Sequence, residues 1–313
     1  MKIKDGLLSI ENYLSSNLEK FVKIVIKTIC DKFLSRVQGT TTSERWEINE
    51  AEIIITEERM ELIKSVIDQI RLFIDKKVYK DEHMITGVQG IGKSYSLLLM
   101  AHCFKFSEEI RKNFHVVMIA ECSLLSKKKW NYVVEQFKIA FPEDPIFSKD
   151  IPFEEEMKTL YNLVKNYSKT GKILIIIVDQ INWLYGTGES ILDMLLSFDW
   201  TIKIVSESAN NNIKLNKQYE SYVWHYYRKM VSEVSVTSII TQESLNYHPS
   251  HADFDKILRI TKGIPREALL LCMTEGNSLE EKISLYEKKR KTTLGSFMKN
   301  SLKTWMLLIM VVY

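Results

Sequence analysis

The tightest constraint on the fold of this chain lies between residues 83 and 106. The apolar tetrapeptide His83-Met84-Ile85-Thr86 runs into Gly87-Val88-Gln89-Gly90-Ile91-Gly92-Lys93-Ser94, and an apolar run, Tyr95-Ser96-Leu97-Leu98-Leu99-Met100, follows at once. The spacing Gly87-x4-Gly92-Lys93-Ser94 satisfies G-x-x-x-x-G-K-[ST] in full, with a strand pattern before it and a helix pattern after it. The glycines permit positive φ and let backbone N–H groups converge on phosphate oxygens with no Cβ in the way. Lys93 is expected to reach the β- and γ-phosphates as a point charge, and the Ser94 hydroxyl to ligate Mg²⁺. A helix opening near Ser94 would aim its partial positive end at the same phosphates. The nucleotide-contacting residues expected here are therefore Gly87, Val88, Gln89, Gly90, Ile91, Gly92, Lys93, Ser94 and Tyr95.

A second acidic position belongs with this loop. Ile173-Leu174-Ile175-Ile176-Ile177-Val178-Asp179 is an apolar strand ending in a carboxylate, at the edge where open α/β sheets bind ligands. Asp179 is expected to support the Mg²⁺ opposite Ser94 and, with Lys93 and Gln180, to make up the catalytic set. Many ATPases carry Glu after this Asp; here the residue is Gln180. An amide orients water but takes no proton, so hydrolysis is expected to be slow, to use another carboxylate such as Glu207, or to be absent.

The loop sits in a chain that alternates strand and helix. Strands are expected at His83–Thr86, Val116–Ala120, Ile173–Val178, Ile202–Val205 and Glu233–Ile239, each an apolar run without period-two alternation, as in a parallel sheet covered on both faces. Helices are expected at Ser94–Phe106, Trp130–Phe141, Phe153–Tyr167 and Ser190–Phe198. Upstream, Leu14, Leu18, Phe21, Val22, Val25, Ile29, Phe33 and Val37 recur at three- and four-residue steps and predict one amphipathic helix. A polar linker, Gln38–Arg45, precedes a second helix carrying Ile63, Val66, Ile67, Ile70, Phe73 and Ile74. Past Thr241 the pattern is helical again, over Phe254–Ile260, Pro265–Met273 and Leu279–Arg290.

Composition sets outer limits. With 313 residues, 45% hydrophobic and 27% charged, the chain is neither disordered nor fibrous, and a net charge of +3 does not suggest a protein that coats nucleic acid. The four cysteines are scattered with no C-x-x-C pair, which argues against a zinc site or a disulfide framework and fits a reducing, intracellular compartment. No apolar run approaches the length of a membrane span, and the N-terminal residues lack a secretory core. The final Trp305-Met306-Leu307-Leu308-Ile309-Met310-Val311-Val312-Tyr313 reads as a packed or truncated element rather than a partner-binding tail.

Two softer features lie downstream. Ser206, Glu207, Ser208 and Asn210 follow the fourth strand, and a polar residue there senses the γ-phosphate if that strand neighbours the phosphate-loop strand. Thr261-Lys262-Gly263-Ile264-Pro265-Arg266-Glu267 opens a helix with Gly-x-Pro: Arg266 could swing toward phosphates or Pro265 pack on a base, and the segment reads equally as a capped helix start. Taken in order, GVQGIGKS, IIIVDQIN, the polar strand end and TKGIPRE resemble the STAND-type branch of P-loop NTPases. More narrowly, they are similar to the NTPase module of Crinkler-like and RHS-like proteins, over roughly Trp46 to Cys272. The resemblance implies a three-layer α/β core with a mainly parallel five-stranded sheet, N-terminal helices and a C-terminal helical lid. The strand and helix patterns divide the chain into an N-terminal helical segment, residues 1–45, a core, 46–245, and a helical lid and tail, 246–313. The resemblance also implies ATP with Mg²⁺ at the loop, and a nucleotide-dependent switch acting on a protein partner or through self-association.

Competing chemistries fit less well. Guanine recognition wants N-K-x-D, and Asn216-Lys217-Gln218-Tyr219 lacks the Asp. A D-E-x-D helicase is disfavoured by Asp179-Gln180, and a small-molecule kinase needs an acceptor-activating carboxylate or an arginine-rich lid. The basic runs Lys127-Lys128-Lys129 and Lys288-Lys289-Arg290-Lys291 make nucleic acid a possible but weakly supported partner. Trp224-His225-Tyr226-Tyr227-Arg228 reads as an amphipathic helix with a packed aromatic face, or, less favoured, as an aromatic wall with Arg228 as an inter-subunit arginine finger. Either way, a non-hydrolysing nucleotide-gated interaction module stands as the alternative to an ATPase.

Overall fold

The computed structural model describes residues 3–31, 33–36, 45–76, 82–144, 153–181, 198, 201–206, 223–227, 236–237, 239–240 and 249–292. The chain divides into two compact units, Met1–Ser35 with Glu47–Val231, and Arg36–Trp46 with Ser232–Tyr313.

The first unit opens on helix α1 (Ile3–Ser16), whose Leu7, Ile10 and Leu14 fall on one face and are fully buried. It packs on α2 (Glu57–Lys76) through that face, and Arg71 on α2 forms a two-pronged ion pair with Glu11. Ile63, Val66, Ile67 and Ile70 form the buried stripe of α2, as the period predicts.

Between these helices the sequence expectation is corrected. The single helix expected through Leu14–Val37 ends at Ser16, and Glu19 turns the chain with φ 57°. Strand β1 (Phe21–Val25) follows, pairing antiparallel with β4 (Glu50–Ile54) so that Val22 faces Ile53 and Ile24 faces Ala51. Val22 and Ile24 are buried while Lys23 and Val25 are exposed. The segment carries both periodicities at once, and its β-branched residues plus a cross-strand partner decide for the strand. Strands β2 (Phe33–Arg36) and β3 (Arg45–Ile48) form a second two-stranded sheet. The expected linker lies outside the described residues except for Arg45, which opens β3, and Val37 lies outside them too.

The site is carried by a parallel sheet. Its strands are β5 (His83–Gly87), β6 (Phe114–Ile119), β7 (Ile173–Val178), β8 (Thr201–Ser206) and β9 (Val223–Tyr227), in spatial order β6-β7-β8-β5-β9 among the described residues. The phosphate-loop helix is α3 (Lys93–Cys103), and the short α4 (Glu108–Arg111), α5 (Leu125–Ala140) and α6 (Phe153–Ser168) complete the crossovers described. Leu174, Ile176 and Val178 pack into one cluster with Val133 and Phe137 of α5 and Leu160 and Val164 of α6. Ile175 and Ile177, which point the other way, are also fully buried, so both faces of the sheet are covered. Helix α3 is buried almost all round, from Leu97 to Ala101.

The last strand falls elsewhere than expected. Strand β9, whose Trp224–Tyr227 belong to the segment Trp224–Arg228 expected as a helix, runs parallel beside β5, with His83 opposite Val223 and Gly87 opposite Tyr227. Residues 236–237 and 239–240, within or beside the expected strand Glu233–Ile239, are helical. Aromatic residues suit a pleated edge, and the open side of β5 supplies a ladder that local periodicity does not reveal. The expected helix Ser190–Phe198, the arginine Arg228 and the tail 305–313 lie outside the described residues, Phe198 apart.

In the second unit, α7 (His251–Thr261) starts on a capping box between Ser250 and Asp253 and ends with Lys262 and Gly263 both at positive φ. Pro265 then opens α8 (Pro265–Met273), and a further helix spans residues 279–292. Arg290 of the expected basic run is ion-paired to the buried Glu267, which also accepts a hydrogen bond from the Tyr286 hydroxyl at 2.6 Å. That arginine is therefore committed to internal structure. All four cysteines are free and buried. Among the described residues no helix is long and apolar enough to cross a membrane.

Candidate functional site

The loop between β5 and α3 keeps its backbone in conformations that require glycine. Gly90 and Gly92 stand at φ 86° and 101°, and Gly92 is the N-cap of α3. No side chain caps that helix end, so its first N–H groups face the loop. Lys93 is buried, and its ammonium donates to the carbonyls of Gly87 at 2.7 Å and Val88 at 3.0 Å. The lysine thus closes the loop over itself and holds its charge at the centre of the ring. Ile91 is buried beneath the loop, whereas Val88 is 44% exposed at its tip and Gln89 half-buried.

Two supports lie behind the loop, and neither is visible in the motif. The Ser96 hydroxyl donates to Gly92 O at 3.0 Å and accepts from Arg59 Nε at 3.2 Å. Arg59, buried on α2, also donates from Nη1 to Ile54 O at 2.6 Å, and burial lowers its pKa to about 10. The Tyr95 ring meets Phe33 of β2 edge-on, with centroids 5.5 Å apart. That ring is committed to packing, which leaves the backbone of Tyr95, not its side chain, to serve a phosphate.

Strand order brings the acidic residue to the loop. β8 pairs with β5 on one side and β7 on the other, so Ser206 at the tip of β8 stands between the loop strand and Asp179. The condition set for γ-phosphate sensing, that this strand neighbour the loop strand, is met. Ser206 Oγ donates to Asp179 Oδ1, and Asp179 N donates to Ile119 O at 2.9 Å, extending the β6–β7 ladder by one residue. Asp179 is 1% exposed, and its Oδ2 has no hydrogen-bond partner. Burial holds its carboxyl above the usual carboxylate range, opposed by hydrogen bonds from Ser206 and Ser94 and by the Lys93 charge, while the Glu121 charge pushes the same way as burial. Ser94 is thus within hydrogen-bonding reach of Asp179, and the expected pair comes together. A hydroxyl beside a buried carboxylate oxygen lacking a donor is a hard-oxygen set that suits Mg²⁺.

Gln180 follows at φ 60°, a left-handed conformation unusual for glutamine, and its N–H points to Ser206 Oγ at 3.5 Å. Glu207, Ser208 and Asn210 lie outside the described residues. Pro265 and Arg266 belong to the second unit, at the start of α8. Sequence reasoning missed Arg59, Phe33 and Glu121, the last a 1%-exposed carboxylate just past β6. Only its position after an apolar strand, as with Asp179, could have singled Glu121 out.

No protein-family model matches this chain, and no curated protein matches its sequence. Solved structures do resemble its fold. The ORC2 protein of Aeropyrum pernix, in ADPNP and ADP complexes, aligns over 74% of this chain and 67% of its own, at TM-score 0.49 and 11% identity. PCH-2 of C. elegans aligns over 76% and 69%, at TM-score 0.45 and 12% identity. The ORC1 protein of Aeropyrum pernix, in complex with DNA, aligns over 74% and 64%, at TM-score 0.49 and 14% identity.

Proposed function

We propose that this chain is an ATP-binding P-loop NTPase, a slow ATPase that works as a nucleotide-dependent switch. One observation carries the reading: at the glycine-loop end of α3, Ser94 lies within hydrogen-bonding reach of Asp179 and the Lys93 charge acts on it, while the second Asp179 oxygen is buried without a donor. In this reading the loop amides and Lys93 bind the phosphates, Ser94 and Asp179 hold Mg²⁺, and Ser206 senses the γ-phosphate. When bound, the metal would neutralise phosphate charge. The division into residues 1–45, a core of 46–245 and a helical lid of 246–313, with Pro265 and Arg266 closing on the nucleotide, belongs to the same proposal. So does the STAND-type, Crinkler-like kinship, which supports a protein partner or self-association as the output. Nucleic acid is the less supported partner, because Arg290 is already paired.

Calorimetric titration of ATP with Mg²⁺, with Lys93→Ala as control, tests the binding. Wild-type affinity in the variant defeats it. Gln180 favours a second reading, a module that holds nucleotide without consuming it. Phosphate release no greater than that of Asp179→Ala would establish that reading over the ATPase.

A further inference from the structure

Hydrolysis needs a group to align water and take its proton, and residue 180 offers only an amide. We propose that Glu121 supplies that carboxylate from the strand alongside; the assignment rests on the ATPase reading above.

Strands β6 and β7 run parallel with Ile119 opposite Val178, and the ladder continues through Asp179 N to Ile119 O. Counting on two residues along each chain brings Glu121 opposite Gln180. Glu121 thus stands two residues past the end of β6, as Gln180 stands two past the end of β7. Glu121 is 1% exposed, an environment that a glutamate seldom occupies without a task. Leu124 N donates to the Glu121 backbone carbonyl at 3.0 Å, so the chain turns immediately after Glu121. Its charge acts on Asp179, whose unpartnered oxygen marks where a ligand would sit. Gln180, held at φ 60°, remains free to orient the water by its amide.

The water oxygen bonds to the γ-phosphorus while the bond from that phosphorus to the β–γ bridging oxygen breaks, and ADP leaves with the electron pair. One water proton passes to the Glu121 carboxylate and then to solvent; the other stays on the phosphate released.

The test uses the full chain with Glu121→Gln, and with Gln180→Glu added to it. Affinity for ATP is read by calorimetry, and the bound nucleotide is identified by chromatography after incubation with α-labelled ATP. Glu121→Gln should bind ATP within about threefold of wild type, release phosphate roughly 100-fold more slowly and keep its nucleotide as ATP. Adding Gln180→Glu should restore at least about tenfold, a larger gain than Gln180→Glu alone gives in a chain that keeps Glu121; equal gains in the two backgrounds would overturn the assignment. Phosphate release within about threefold of wild type, with ADP recovered, would overturn the assignment to Glu121 and leave the ATPase reading standing. A folded Glu121→Gln protein, shown by its melting transition, that no longer binds ATP overturns it in favour of a structural role. Wild-type protein that binds ATP and never yields ADP overturns both.

Discussion

The Ser206 hydroxyl donates to Asp179 Oδ1 and leaves Asp179 Oδ2 buried without a donor. Two strand tips thereby share one carboxylate, half satisfied by the protein and half reserved. Since burial disfavours its charged form, Asp179 costs stability. Asp179→Asn keeps an acceptor for Ser206 and should stabilise the nucleotide-free protein by about 1 kcal/mol while weakening Mg²⁺-dependent ATP binding. Melting curves with and without nucleotide check both halves; a destabilised free protein contradicts the first.

Lys93 holds the loop closed through Gly87 O and Val88 O. Lys93→Ala should weaken ATP binding at least 100-fold, about 3 kcal/mol, because phosphate charge and loop shape are lost together. Titration calorimetry gives the number directly.

Arg59 bonds Ser96 and Ile54 with a planar fork that an ammonium cannot copy. Arg59→Lys should cost about 1–2 kcal/mol in chemical denaturation, and Arg59→Ala about 3 kcal/mol. Both should weaken ATP affinity, although position 59 lies outside the motif. Unchanged affinity in both variants would show the brace to be irrelevant to the loop.

His115 on β6 stacks on Phe141, with centroids 4.5 Å apart, and shares a hydrogen bond with the Tyr167 hydroxyl. Burial, then the charges of Lys172 and Lys105, lower its pKa from 6.5 to about 4. The unfolded chain therefore binds the proton more tightly, and this contribution, full above pH 6.5, is lost as pH falls toward 4. The loss should be on the order of 2 kcal/mol. Denaturation midpoints measured across that range should slope less in His115→Phe; an equal slope refutes the account.

Gln180 occupies a left-handed backbone conformation at φ 60°. Gln180→Gly should raise stability by about 0.5–1 kcal/mol at the strand end if that strain is stored there. A melting temperature below wild type would show that the amide contributes more than the strain costs.

Much of this was legible from residues alone. The glycine loop, the Asp-tipped strand and four of the five parallel strands among the described residues could be placed because each is local: a turn chemistry, an apolar run, a charge at its end. What escaped was non-local. Phe21–Val25 carries helix and strand periodicity alike, and only Glu50–Ile54 decides between them. Val223–Tyr227 becomes a strand because β5 has an open side. Arg59 is one charged residue among many on an amphipathic helix until the fold sets it behind Ser96, 37 positions on.

The brace behind the loop also bears on where the unit that carries it begins. A fragment starting at His83 would retain every residue of the phosphate motif, yet it would lack Arg59, which ties to Ser96, and Phe33, which packs on Tyr95. The border of the motif and the border of the smallest autonomous piece are different borders. Cutting at the first would leave a cradle with its letters intact and its posts removed.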